Sequence, residues 1–274
     1  MRLGAVLPLS DRSANGAAAG VPAEGARRLE DSGFDSVWVF DAIGRSVVLP
    51  DPLIALSVAA TVTDQVELGT GILQVPLRRP VELAHRILTA HAVCGGRLLL
   101  GLGAGSTVID YAAVGVPFEE RFTRFAEAVP VIAGLLRGEE VDGVAMEPWP
   151  TGDGGPPILI GSWAGSVWVK RAATDYDGWI GSAAMTSLNV LRDGMARFRA
   201  AGGSRAVVTN IATDLTAADT ELDADGSFHL RCPPDEARRR LEELTELGFD
   251  DAVVVLGDHS AANLAATRAL VPSQ

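Results

Sequence analysis

Eight short apolar runs, most of them followed by a stretch of helical periodicity, constrain this chain more than any other feature. They lie at residues 3–7, 36–40, 66–73, 97–103, 157–161, 178–182, 206–213 and 251–256. Runs of this length bounded by Gly, Pro or Asp read as buried strands, and strands alternating with helices build a parallel sheet with helical crossovers. Eight such units predict a (β/α)8 barrel, an architecture that reaches about 250 residues as one domain. With 274 residues, the chain is expected to form a single barrel domain over 1–274.

The intervening segments carry helix start and stop signals. Asp51-Pro52 opens the second helix. Pro80 sits in the first turn of the third, with Val81, Ala84, Ile87 and Leu88 on one face and Gly95-Gly96 at its end. Ser187 is the expected N-cap of the sixth, and Pro233-Pro234-Asp235 starts a seventh that turns Leu241, Leu244 and Leu247 toward the sheet. The fourth, at 119–136, contains Pro130, which lacks a backbone donor and predicts a kink or two helical pieces. Residues 138–156 hold Gly and Pro without either period and read as an irregular excursion.

Composition narrows the function. The formal charge of -12, from 23 Lys plus Arg against 35 Asp plus Glu, repels phosphate backbones and anionic lipid, which argues against nucleic-acid or membrane partners. No apolar run approaches the roughly 20 residues of a membrane span, and the N-terminus has no signal-peptide layout, so a cytoplasmic protein is expected. Cys94 and Cys232 form no CxxC pair; neither a disulfide framework nor a metal site is signalled.

In a parallel barrel, chemistry resides at the C-terminal strand ends. Asp41 follows the second strand and is the candidate catalytic carboxylate, the alternative being a solvated strand-end acid. Gly69, Gly71, Gly101, Gly103 and Gly105 cluster at or beyond two strand ends, where missing side chains would let a flat ring approach the backbone, or would simply ease packing. Ser106 stands where a dinucleotide GxGxxG motif needs its third glycine, which sets that motif aside. GSWAGS at 161–166 lies between a strand and a helix. Its amides and the Ser162 and Ser166 hydroxyls suit a phosphate, or Ser166 caps an ordinary turn. His85 and His91 fall on an outer helix, whereas His229 and His259 follow the last two strands.

Four segments carry a resemblance: GFDSVWVFDA at 33–42, LGTGILQVPLRRPVELAHRILTAHAVCGGRLLLGLGAGS at 68–106, PPILIGSWAGSVWVKRAATDYDGWIGS at 156–182, and PPDEARRRLEELTELGFDDAVVVLG at 233–257. Their order and spacing resemble the luciferase-like monooxygenases and their deazaflavin-dependent relatives, the coenzyme F420 branch. The resemblance implies a non-proline cis peptide at or beside Gly71-Ile72. It also implies cofactor contacts from Thr70, Gly71, Ile72, Gly103, Gly105 and Ser106, and a phosphate grip from Gly161, Ser162, Trp163, Ala164, Gly165 and Ser166. Many relatives carry a histidine where Ala42 stands, and the sugar-phosphate dehydrogenases carry a glutamate proton donor where Ser106 stands, so their substrate and acid-base scheme do not transfer. The resemblance thus implies a hydride-transferring oxidoreductase that uses coenzyme F420 on a small organic substrate and forms a homodimer. FMN with luciferase-like oxygenation is the alternative, and a cofactor-binding barrel without turnover is the reading outside enzymes.

Overall fold

The computed structural model describes residues 1–8, 21–45, 49–146, 154–184, 186–219, 221–223 and 226–272. Its elements are β1 (Arg2–Val6), α1 (Val21–Asp31), β2 (Ser36–Val39), α2 (Pro52–Ala60), β3 (Glu67–Thr70), β4 (Leu73–Gln74), α3 (Pro80–Val93), β5 (Leu98–Gly103), α4 (Val108–Ala113), α5 (Arg121–Leu136), β6 (Ile158–Gly161), α6 (Trp168–Thr174), β7 (Gly178–Ser182), α7 (Leu188–Ala200), β8 (Arg205–Asp214), β9 (His229–Arg231), α8 (Pro234–Leu247), β10 (Asp251–Leu256) and α9 (Ala261–Arg268). The sheet order is β10-β1-β2-β3-β5-β6-β7-β8-β9; β4 pairs with β5, and β10 pairs with both β1 and β8. All eight expected runs form strands, and the fold class is the (β/α)8 barrel. The run expected at 66–73 is divided into β3 and β4, with a cis peptide at Gly71-Ile72.

The chain forms two compact units interleaved in sequence: Met1–Leu7, Arg27–Trp38 and Leu159–Gln274 in one, Pro8–Ala26 and Val39–Ile158 in the other. In the first, the core gathers around Trp179, whose ring lies 6.0 Å from Phe198 and 5.8 Å from Phe249. Gly194 of α7 lets Ala164 approach; a Cβ there would stand 2.6 Å from the Ala164 Cβ. The buried Asp251 at the start of β10 takes two hydrogen bonds from Arg205, each 2.9 Å. β9, a three-residue strand absent from the sequence reading, runs parallel to β8 with His229 opposite Ala212. Buried Phe228 and Leu230 seat it.

In the second unit, every residue of β5 is buried, and Asp51 caps α2 by accepting from the amides of Leu53 and Ile54 at 3.0 and 3.2 Å. Arg97, just before β5, satisfies the other end of that helix. Its guanidinium donates to the carbonyls of Ala60 (3.0 Å), Thr63 (2.8 Å) and Val66 (3.1 Å) and to the Thr63 hydroxyl (2.9 Å). Cationic donors at helix C-termini are favoured by the macrodipole, and each bond to a charged group is worth about 1.5 to 3 kcal/mol. Arg97→Met should therefore destabilise the fold by about 2 to 4 kcal/mol, read as a lower thermal midpoint. Arg97→Lys should recover only part, because an ammonium cannot serve so spread a set of acceptors; a melting curve for Arg97→Met that overlays the parent would refute this.

Two expectations are corrected. α5 runs unbroken through Pro130 instead of splitting. The carbonyl that loses its donor belongs to Ala126, and both Ala126 and Pro130 are exposed, on the side of the helix where an unmet backbone acceptor costs least. Val81 does not share the inward face of α3: it is exposed, whereas Ala84, Ile87 and Leu88 are buried. Within the excursion, Val141 and Val144 form an antiparallel bridge around Asp142 and Gly143, both at positive φ. That is the Asp-Gly turn geometry. Residues 147–153 of the excursion lie outside the described residues. The expected caps hold, with Ser187 accepting from the Val190 amide and Pro234 starting α8.

Candidate active site

The expected site residues fall in both units, Asp41 and those at 70–106 in one and the 161–166 loop in the other. At the end of β2, Asp41 is buried, not solvated. Its carboxylate takes a fork-like pair from Arg78, at 2.6 Å to Oδ2 and 3.0 Å to Oδ1, and accepts the Gln74 amide at 2.8 Å. Arg78 also donates to the Gln74 carbonyl at 3.1 Å and lies 3.8 Å from Asp51, which Arg86 engages at 2.6 Å.

A second carboxylate, Asp110 of α4, completes this arrangement. It is fully buried and accepts from Arg45, from the Ile43 amide at 3.1 Å and from Gln74 Nε2 at 3.0 Å. Burial pushes its pKa up, but the hydrogen bonds from Arg45, Gln74 and Ile43 outweigh burial and leave it below the ordinary carboxylate value. Gln74 is thus the bridge: the same Nε2 donates to the Asp41 carbonyl at 3.0 Å. Both acceptors fix the amide orientation, so the buried oxygen is Oε1, and it has no partner among the described residues.

The neighbouring backbone shows what the rim glycines do. A Cβ on Gly103 would stand 2.7 Å from the Ile72 side chain, and one on Gly105, whose φ is +74°, would stand 2.1 Å from Gln74 Oε1. Side chains of this chain therefore fill the space that the sequence assigned to a flat ring at those two positions. Thr70 is buried and ties β3 to β5 through its hydroxyl on the Gly101 carbonyl, 2.8 Å away. Gly71 donates its amide to the Val39 carbonyl at 2.9 Å, and Ser106 is exposed.

In the other unit, the loop after β6 places Trp163 and Gly165 at the surface and buries Ala164. The Ser162 amide donates to the Ile180 carbonyl at 3.2 Å and the Ser166 amide to the Trp163 carbonyl at 2.9 Å. Ser166 Oγ accepts from the Trp168 amide at 3.1 Å, which is the capping role that its sequence position also allows. A hydroxyl that accepts one bond still has its proton to donate. Ser162 Oγ is buried and has no partner among the described residues.

A family model described as luciferase-like monooxygenase matches residues 1–262. The chain belongs to that family. The 5,10-methylenetetrahydromethanopterin reductase of Methanolobus tindarius is 34% identical over 116 residues, which are 42% of this chain and 34% of the relative. The F420-dependent glucose-6-phosphate dehydrogenase of Kineococcus radiotolerans is 38% identical over 137 residues, 47% of this chain and 40% of the relative. These matches span well under half the length of either relative. The crystal structure of a monooxygenase from Streptomyces bottropensis has the same fold, with a TM-score of 0.77, 19% identity, and coverage of 98% of this chain and 96% of that one.

Ala42 follows Asp41, and Ser106 follows Gly105, so neither position offers a histidine or a glutamate. The two histidines expected after the last two strands are engaged elsewhere. His229 lies in β9, where its Nδ1 accepts the Arg231 amide at 3.2 Å, and burial together with Arg240 and Arg231 lowers its pKa. His259 sits 3.3 Å from the Val6 carbonyl, which requires an Nε2 proton, and its pKa is lowered chiefly by burial. Burial raises the Cys94 thiol to about 11 and pushes Cys232 up as well, so both are inert structural thiols. The residues that sequence reasoning missed are Gln74, Arg78, Arg45 and Asp110.

Proposed function

We propose that this chain is an oxidoreductase that moves a hydride between coenzyme F420 and a small organic substrate. The observation that carries the reading is the buried, unpartnered Ser162 hydroxyl in the loop that, by family resemblance, grips the cofactor phosphate. A buried hydroxyl without a partner costs about 1 to 3 kcal/mol, and an anionic oxygen would relieve that cost. The residues present thus fit a phosphate-bearing cofactor. Ser162 and Ser166 supply hydroxyl donors, since their own amides are committed to carbonyls of the chain.

When bound, the cofactor supplies the two-electron redox chemistry. The chain binds and orients. Thr70 and the cis-linked Gly71-Ile72 shape the strand end assigned to the ring, while Ile72 over Gly103 and Gln74 against Gly105 make that strand end a filled surface. Asp41 is the carboxylate proposed to serve the reacting atoms, and Arg78 holds it in place. Without a histidine at 42 or a glutamate at 106, any proton falls to Asp41, to water or to the substrate itself.

Hydrogen bonds to a charged group are worth about 1.5 to 3 kcal/mol, so Ser162→Ala should weaken F420 binding roughly tenfold or more. The apo-protein should melt no lower than the parent, because an unpartnered buried hydroxyl has been removed. Ser166→Ala should lower both binding and melting, since its oxygen caps the Trp168 amide. Fluorescence titration with F420 and FMN in parallel checks this. Unchanged F420 affinity in folded Ser162→Ala sinks the phosphate assignment, and submicromolar FMN binding with no F420 binding favours the oxygenating reading.

The proposal includes a homodimer. α2 carries no charged residue, and its outward positions Ile54 and Val58, one turn apart, are 61% and 38% exposed. A helix that is apolar all round belongs in an interior or an interface.

A further inference from the structure

We propose that Asn210 of β8 is a further ligand-binding residue, whose side-chain oxygen accepts a hydrogen bond from an uncharged O–H or N–H of the molecule held at the strand ends. The identity of that molecule rests on the proposed function. The placement of the acceptor stands on geometry within one structural unit, the one that also holds the 161–166 loop.

β7 and β8 run side by side, and Ser182, the last residue of β7, stands opposite Thr209. Successive strand residues face opposite sides of a sheet. Trp179 packs on Phe198 of α7, and a Cβ on Gly181 would meet Trp179 and Leu191 of the same helix. Ser182 and Thr209 therefore turn to the inner face, at the strand ends where barrel chemistry resides. On the other side of β8 the register with β10 slips: Val208 pairs with Ala252 and Ile211 with Val254, leaving Thr209 and Asn210 opposite Val253 alone. Asn210 has a φ of +61°, a left-handed conformation that residues other than glycine enter at a cost. A bulge of this kind re-aims a side chain. Here it brings the Asn210 amide to the inner face, beside Ser182 and Thr209.

The hydrogen bonds fix which end of that amide is offered. The Ser182 hydroxyl donates toward the Ala184 carbonyl at 3.5 Å, and the Thr209 hydroxyl donates to the Gly181 carbonyl at 3.3 Å. With both protons directed away, the two oxygens accept, and Asn210 Nδ2 donates to Ser182 Oγ at 3.1 Å and to Thr209 Oγ1 at 3.2 Å. Oδ1 is thereby turned away from both, and no described residue donates to it. Asn210 is only half-buried, so this oxygen is not sealed off as Ser162 Oγ is. The backbone alone would be served as well by glycine, which takes a positive φ freely. What asparagine adds is an acceptor preset by its neighbours. It repels an anionic oxygen, gains nothing from a carbonyl, and fits a hydroxyl or an N–H. Such a group can come from F420, through a hydroxyl or a ring N–H, or from the alcohol form of a substrate.

Calorimetric titration of the full chain with F420, cyclohexanol and cyclohexanone tests this, the alcohol added with reduced F420 and the ketone with oxidised F420 so that no hydride moves. Asn210→Gly removes the amide, suits the backbone and should melt with the parent. A neutral hydrogen bond is worth about threefold to tenfold in affinity. If the donor is on the cofactor, the variant loses that factor in F420 affinity. If it is on the substrate, F420 affinity holds and cyclohexanol affinity falls by that factor while cyclohexanone affinity stays. Asn210→Asp keeps an acceptor on a backbone that aspartate also tolerates, and should retain the cyclohexanol affinity that the glycine variant loses. Three results overturn the proposal: F420 and cyclohexanol affinities both unchanged in Asn210→Gly, cyclohexanone weakened as much as cyclohexanol, or a glycine variant that melts well below the parent, which would make Asn210 a structural residue. If F420 binds neither protein, the cofactor reading falls, and the cyclohexanol and cyclohexanone titrations without it decide Asn210 by themselves.

Discussion

Asp41→Asn should melt about 10 °C below the parent, one of the two largest effects expected. Asparagine keeps the shape of the side chain and removes its charge. Arg78, whose side chain is 9% exposed, then loses the fork-like charged pair at 2.6 and 3.0 Å and retains the Gln74 carbonyl at 3.1 Å and, as its nearest carboxylate, Asp51 at 3.8 Å. Breaking a buried pair by removing one partner costs about 3 to 5 kcal/mol, because the other charge stays buried, and a chain of this size loses roughly 2 to 4 °C per kcal/mol. Replacing both partners removes the stranded charge, so Asp41→Asn/Arg78→Met should regain most of the lost midpoint. The double variant also separates anchoring from chemistry. If its stability returns while turnover stays lost, Asp41 serves the reacting atoms; if both return, it is an anchor. Calorimetry in which Asp41→Asn unfolds with the parent would show that the pair does not hold the strand end.

That pair shows where the sequence stops being legible. β5 can be read directly, because a strand with all six residues buried must be a continuous apolar run. Asp51 and Ser187 can be read because a cap is a local event, one side chain reaching an amide two or three residues on. Asp41 meets Arg78 and Gln74 across more than thirty positions, and Asp110 meets Gln74 across 36. No local rule supplies such partners. Periodicity gives no help with α4, where the rule that apolar residues face inward is reversed by Asp110 and Arg45. β9 has only three residues, too few for a period, and its signal lies in buried Phe228 and Leu230. The Asp142-Gly143 turn, by contrast, is open to reading, since Asp-Gly between two valines is a hairpin signal that the surrounding Gly and Pro residues obscure. The rim glycines do mark positions where something approaches the backbone, but at Gly103 and Gly105 what approaches is Ile72 and Gln74.

Ile54→Glu/Val58→Glu should convert a dimer into a monomer at micromolar concentration, the other large effect. The outward stripe of α2 presents both positions one turn apart, with no charged neighbour on the helix. Its single hydroxyl, Ser57, is turned inward along the helix onto the Leu53 carbonyl at 2.7 Å. A two-fold interface is self-complementary, so each substitution enters it twice and the double variant brings four carboxylates together. If each carboxylate costs no more than about 1.4 kcal/mol, well below the several kcal/mol for burying an ion, affinity falls about ten-thousandfold. The substituted side chains are solvated in the monomer, so the variant should keep the parent's circular dichroism and F420 affinity. Light scattering on an eluting peak decides the matter: the parent should give twice the chain mass of 28.6 kDa and the variant a single chain. A parent that elutes as a monomer would remove the α2 stripe from the interface and leave its two aliphatic side chains exposed without a partner.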